Sequence, residues 1–187
     1  MRWFPAATLA LLVSSGAQAQ AKFGDKGVIS PFGSVRLSWQ SDSIGPSSQS
    51  TTSLSLQPGV FYFLQDGIAI GGQIGLSLVS ASATTVLFRL GPAAGYNHWL
   101  ADRVSIFPQL ALELVVGSAG SSSPGGSSSA VLNLALEIFA PILYHPVPHF
   151  FLGIGPIFSA DLVSKFGDND STKTTLIGIQ SVIGGHL

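Results

Sequence analysis

The sequence predicts an all-β chain, an eight-stranded antiparallel up-and-down transmembrane β-barrel. Three observations predict it. Apolar residues recur with period two in eight separate runs, and the connections between runs alternate between tight turns and longer, low-complexity loops. Only 9% of residues are charged and the mean hydropathy is +0.47, yet the 187-residue chain is interrupted throughout by Ser, Gly, Thr and Gln. No stretch after the N-terminal segment has the roughly 20 unbroken apolar residues that a spanning helix needs. Strands with one face toward lipid and one toward a polar lumen reconcile these facts.

The first element is an export signal. Arg2 supplies a positive start, Ala6 to Val13 a short apolar run, and Ala17-Gln18-Ala19 a cleavage site of the A-x-A type. The run is too short for a retained membrane anchor. Residues 1–19 are therefore expected to be removed, leaving 20–187 as a single barrel domain.

The eight strands are expected near residues 27–40, 51–64, 68–80, 84–98, 103–117, 129–143, 149–162 and 173–187. Three tight connections separate them: Gln65-Asp66-Gly67, the stretch around Ala101-Asp102, and Tyr144-His145-Pro146-Val147-Pro148. The intervening loops are Ser41 to Ser50, a brief one near Ala81 to Ala83, Ser118 to Ser128, and Val163 to Thr172. Short turns at one end and longer loops at the other are the asymmetry of a bacterial outer-membrane barrel, whose turns and termini face the periplasm. Pro31, Pro58, Pro92, Pro108 and Pro156 fall inside these runs, each deleting a ladder donor, so bulges or bends are expected there.

Alternation assigns the faces. Ile68, Ile70, Ile74, Leu76 and Leu78 share one side of the third strand, and Leu110, Leu112 and Leu114 and then Leu132, Leu134, Leu136 and Ile138 do so on the fifth and sixth. The opposite sides carry Gln73, Gln109, Glu113, Asn133 and Glu137, which lipid would not tolerate but a lumen can satisfy. Of the aromatics near the short turns, Phe61, Phe63, Trp99 and Phe151 have inward parity and are expected to fill the mouth. Tyr62, Tyr96 and Phe150 are the candidates for an interfacial girdle.

Register sharpens the interior. Centring one turn on Ala101 sets Arg89 opposite Glu113, centring the next loop on Gly125 sets Glu113 opposite Glu137, and centring the first on Gln65 sets Gln57 opposite Gln73. With Arg36 at the same height, the expected lumen network is Arg36, Arg89, Glu113, Glu137, Gln57 and Gln73, with Gln109, Asn133 and Gln180 nearby. Its four charges cancel, as buried charge requires. A plug that holds the strands in register is the leading reading. A gated narrow pore, in which the two glutamates respond to protons, stays open beside it.

Chemistry is sparse. A net charge of −1 without a basic cluster argues against nucleic acid, and the absence of cysteine removes thiolate metal sites. His98, His145, His149 and His186 all map to the turn end, where turn chemistry is favoured over a metal pair. Ser121 to Ser123 and Ser127 to Ser129 lie at the other end, so a Ser/His dyad is not expected. Glu113 and Glu137 as acid and base would lack substrate access. Neither an enzymatic activity nor a cofactor is expected.

The whole mature chain resembles the small outer-membrane β-barrel proteins that include OmpA, OmpX and OmpW. The resemblance is carried by the hairpin Gly59-Val-Phe-Tyr-Phe-Leu-Gln-Asp-Gly-Ile68, by Gly91-Pro-Ala-Ala-Gly-Tyr96, and by the alternating stretch from Ile177 to Leu187. It implies outer-membrane lipids as surroundings and periplasmic chaperones and the barrel-assembly machinery as folding partners. Relatives end in an aromatic residue, and Leu187 departs from that. The function expected is structural or surface-interacting, in a monomer, with a narrow channel as the alternative and a lipid-modifying enzyme last.

Overall fold

Period-two alternation produces a closed ring of strands, in which a sheet has no edge left to protect. The computed structural model describes residues 21–44, 47–80, 84–119, 129–166, 169–170 and 175–187. The expected signal peptide and the Ser-Pro-Gly core of the loop near 120–128 lie outside the described residues. The strand segments are β1 (Ile29–Ile44), β2 (Ser47–Gln65), β3 (Ile68–Ser80), β4 (Thr84–Tyr96), β5 (His98–Ala101) and β6 (Val104–Ile106). They continue with β7 (Gln109–Ala119), β8 (Ser129–Phe139), β9 (Ile142–Val147), β10 (Phe150–Phe166), β11 (Asn169–Asp170) and β12 (Thr175–Gly185).

Eight of these close the barrel. The order β12-β1-β2-β3-β4-β7-β8-β10 is antiparallel throughout, and β10 pairs back onto β12. Beyond breaks at Asn97, at Phe107 and Pro108, and at Ala140 and Pro141, the segments β5, β6 and β9 prolong β4, β7 and β8 toward the turn end. The up-and-down barrel expected from the sequence is the fold observed.

Three local expectations are corrected. The first hairpin pairs without interruption to Ile44↔Ser47, so most of the stretch 41–50 is strand rather than loop. Tyr144 to Val147 belong to β9, which leaves Pro148 and His149 as the turn before β10. Pro31, Pro58, Pro92 and Pro156 stay inside unbroken strands, and only Pro108 falls in a break. Each in-strand proline lies where the ladder to one neighbour lapses. The β2–β3 pairing skips Gln57 and Pro58, the β4–β7 pairing skips Gly91 and Pro92, and the β8–β10 pairing begins just after Pro156. Pro31 lies one residue outside the β1–β12 pairing. The missing donor is thus placed where no acceptor waits.

The faces follow the pleat. Outward side chains are aliphatic around the whole ring, and Ile70, Ile74, Leu90, Leu110, Ile138 and Ile154 are all exposed. Inside, the barrel has two layers. Toward the turn end it is packed with Phe32, Phe61, Phe63, Phe107, Phe139, Leu143 and Phe151. Above them lies a layer of buried polar and charged groups. The aromatic layer is larger than the mouth filling expected from parity alone.

Candidate functional site

The polar layer is one connected network. Arg36 on β1 donates from Nε to Gln180 Oε1 at 2.8 Å and from Nη2 to Gln57 Oε1 at 3.4 Å, and pairs with Glu137 Oε2 at 2.7 Å. Glu113 on β7 receives amide donors from Gln57 and Gln73 on Oε1, each at 2.8 Å, and Arg89 Nη1 on Oε2 at 2.8 Å. Arg89 Nε donates to Ser77 Oγ at 3.1 Å, and Ser77 bonds Ser55 at 2.8 Å. Side chains from β1, β2, β3, β4, β7, β8 and β12 are joined in this way. Glu113 is fully buried, so its charge is held by three donors in place of water.

The structure brings together Arg36, Arg89, Glu113, Glu137, Gln57 and Gln73 with Gln180, which was expected nearby, and it adds Ser77 and Ser55. The register that was expected to assemble them is corrected. Arg89 stands opposite Val115, Glu113 opposite Ala135, and Gln73 opposite Gly59. Each expected cross-strand pair is displaced by two residues, so the contacts form along diagonals. Two of the displacements arise because the turns are centred later than expected, between Asp66 and Gly67 and between Asp102 and Arg103; the bulges at Phe63/Gln65 and Trp99/Ala101 take back part of the offset. Asn133 accepts instead from Ser164 at 3.0 Å, and Gln109 lies against the aromatic layer.

A glycine makes room for the network. A Cβ on Gly91 would collide with the Leu112 carbonyl oxygen and crowd the Glu113 Cα, so β4 approaches β7 here as only glycine allows.

Below this layer aromatic and aliphatic side chains pack closely. The gap among Phe32, Phe61, Phe107, Leu143, Phe151 and Val182 is too small for a water molecule. Residues 21–28, of which 21–26 lie ahead of any expected strand, cross the turn end and insert Phe23 into the mouth. Its ring meets Phe151 at 4.9 Å, Phe63 at 5.1 Å and Phe107 at 5.3 Å. Asn97 Nδ2 and Trp99 Nε1 both donate to the Phe23 carbonyl. The segment is fastened further by Gly67 N to Gly24 O at 2.7 Å, where Gly67 turns at φ 80°.

Tyr62 and Tyr96 point outward near the turn end, together with Tyr144, while Phe150 is half-buried. Of the histidines, His98 is exposed and the other three surround a cavity of about 310 Å³. Ser105 Oγ lies 3.1 Å from His145 Nε2. That overturns the expectation that no serine would meet a histidine, which rests on the loop serines alone. Ser105 is fully buried, which leaves no face on which a substrate could meet its hydroxyl. Among the described residues, no three of His, Asp and Glu converge in a way that could hold a metal ion.

No protein-family profile matches the chain, and no curated protein matches it in sequence. Among solved structures it is similar to Neisserial surface protein A (NspA), with a TM-score of 0.54 and 15% identity. The match covers 86% of this chain and 96% of that one, so the likeness is one of overall fold.

Proposed function

We propose that the chain is a bacterial outer-membrane barrel with a sealed lumen, exported by a cleaved signal peptide and serving the envelope in a structural or surface-interaction role. The observation that carries this reading is the outward face. Aliphatic side chains about half exposed encircle the ring on every strand, far beyond the few hundred Å² that a water-soluble monomer leaves uncovered. Lipid is the solvent that such a band fits, with the exposed Tyr62, Tyr96 and Tyr144 near the turn end, and the half-buried Phe150, as its interfacial girdle. Closed ladders satisfy the backbone within that solvent.

The interior supports sealing over conduction. A plug of paired charges sits on an aromatic layer without room for water, so a gated channel would have to open both layers. NspA is named a surface protein, which agrees with a role exercised by the loops. Folding through periplasmic chaperones and the barrel-assembly machinery follows from the resemblance to the OmpA, OmpX and OmpW kind, and neither an enzymatic step nor a cofactor enters the reading. The test is fractionation of cells expressing the full chain. The expected result is a protease-resistant protein in the outer-membrane fraction whose gel mobility changes on boiling. A soluble, protease-sensitive product without that change would refute the barrel in the membrane.

A further inference from the structure

We propose that the β1–β12 seam is a dimer interface, at which the loop-side edges of two copies of this chain pair with each other inside the membrane. The inference rests on the reading of the outward face as lipid-facing, and it replaces the monomer expected from the sequence.

Ladders satisfy the backbone around most of the wall, but the β1–β12 seam is closed over only part of its height. β1 stays paired with β2 as far as Ile44↔Ser47, and β12 with β10 as far as Ala160↔Thr175. Between β1 and β12 the ladder runs from Phe32↔Gly184 to Val35↔Ser181, and among the described residues it goes no further. Exposure marks the same boundary. Ile177 and Ile179 are 79% and 65% exposed, against at most 59% for any other outward aliphatic side chain described on the ring strands. A Cβ on Gly178 would meet only Ile157 and Leu176, whereas one on Gly184, lower on the same strand, would press on the Pro31 carbonyl oxygen of β1.

The phase of the ladder says which backbone groups are left over. Ile29 and Leu187 exchange both of their hydrogen bonds, and bonded pairs recur at every second residue of an antiparallel ladder. Carried up β12, that phase turns the N–H and C=O of Ile179 and Ile177 toward β1. Pro156 agrees from the other side, since it stands opposite Ile179 on β10 and has no N–H to give it. Among the described residues no strand meets these groups, and their own side chains face outward into the apolar band. The last carbonyl of the ladder, on Val35, accepts from the Ser181 hydroxyl at 3.1 Å. On the lumen side Arg36 Nε is engaged by Gln180.

Hydrocarbon has neither donor nor acceptor, and an open sheet edge does not persist at membrane depth. The group that answers it is an extended strand with an unpaired edge of its own at the same depth. A second copy carries that edge. A two-fold axis along the membrane normal sets β12 of each copy beside β1 of the other, one running toward the turn end and one away from it. The free edges then meet antiparallel and both gaps fill at once. Below the gap the outer surface is self-complementary as well. Gly33 and Ile183 are partners across the seam, Ile183 is exposed, and a Cβ on Gly33 would stand in open space. The same axis brings Ile183 of each copy over Gly33 of the other, the close approach that small residues permit in lipid.

The chain has no cysteine, so Ala21→Cys places one dye per copy on an exposed side chain at the turn end. Donor-labelled and acceptor-labelled proteins are refolded together into phosphatidylcholine vesicles, and heat-modifiable mobility verifies the barrel separately from its pairing. Energy transfer should stay above the random-proximity level on dilution with further lipid. Gly33→Leu, for which the single barrel has room, should bring transfer down to that level and keep the heat-modifiable band. Ile179→Pro should do the same, because it removes an N–H that only the partner strand uses, and it decides the matter where Gly33→Leu does not fold. Random-level transfer in the wild type, as for a gap covered by lipid or zipped shut within one copy, would overturn the proposal. So would transfer that survives either substitution in a folded barrel, or an Ile179→Pro chain that cannot fold, which would mean that its N–H is already bonded within one copy.

Discussion

At the scale of single residues, Glu113 gathers three donors in a fully buried place. Truncation to Ala leaves Arg89 without its carboxylate and Gln57 and Gln73 without their shared acceptor. Breaking a buried pair from one side costs about 3–5 kcal/mol. Glu113→Ala should therefore lower the urea midpoint of the refolded barrel, and an unchanged midpoint would show that the network carries no stability. Phe23→Ala should cost a comparable 3–5 kcal/mol or so in the same titration, as removal of a buried phenyl ring does. Network membership is largely legible in the amino-acid sequence, because inward parity and height together select Arg36, Gln57, Gln73, Arg89, Glu113 and Glu137, though parity also marks Gln109 and Asn133, which bond or pack elsewhere. The partners are not. A shift of two residues keeps every side chain on its face while changing what it meets, so alternation is blind to that error. Phe23 is invisible for another reason: it lies among Lys22, Gly24, Asp25 and Lys26, where no periodicity marks a residue as buried.

At the scale of elements, the ring owes its closure to small irregularities at defined positions. Gly91 and Pro92 sit where β4 and β7 lapse in pairing, and the lapse lets the strands come too close for a Cβ. Gly91→Val should therefore separate β4 from β7 and misplace Glu113. The expected outcome is loss of the folded, heat-modifiable gel band, or a marked fall in its melting temperature, whereas a wild-type band and melting point would contradict the close approach. The same geometry explains why the strands run on through prolines where bulges or bends were expected. A sequence shows that a donor is missing but not whether the neighbour was going to use it. The turn at Gln65-Asp66-Gly67 is legible because Gly67 adopts a positive φ that few other residues accept, and Pro148-His149 is less so because His149 does the same without being glycine.

At the scale of the whole molecule, two opposed gradients define the barrel: aliphatic outside, and inside a charged layer above an aromatic one. The outer gradient and the strand count are readable directly, since both are repeated eight times along the chain. The aromatic layer is readable in part, from the inward parity of Phe61, Phe63, Trp99 and Phe151, and the segment crossing the mouth is not, because it depends on where the chain before β1 folds back. On the proposed reading, the two layers seal the barrel and its surface and loops carry its role. The most direct measurement is single-channel recording of the refolded wild-type protein in a planar lipid bilayer. A sealed lumen predicts a silent membrane, with insertion verified by heat-modifiable mobility of the protein recovered from it. Ohmic steps of uniform size from that inserted protein would contradict the account.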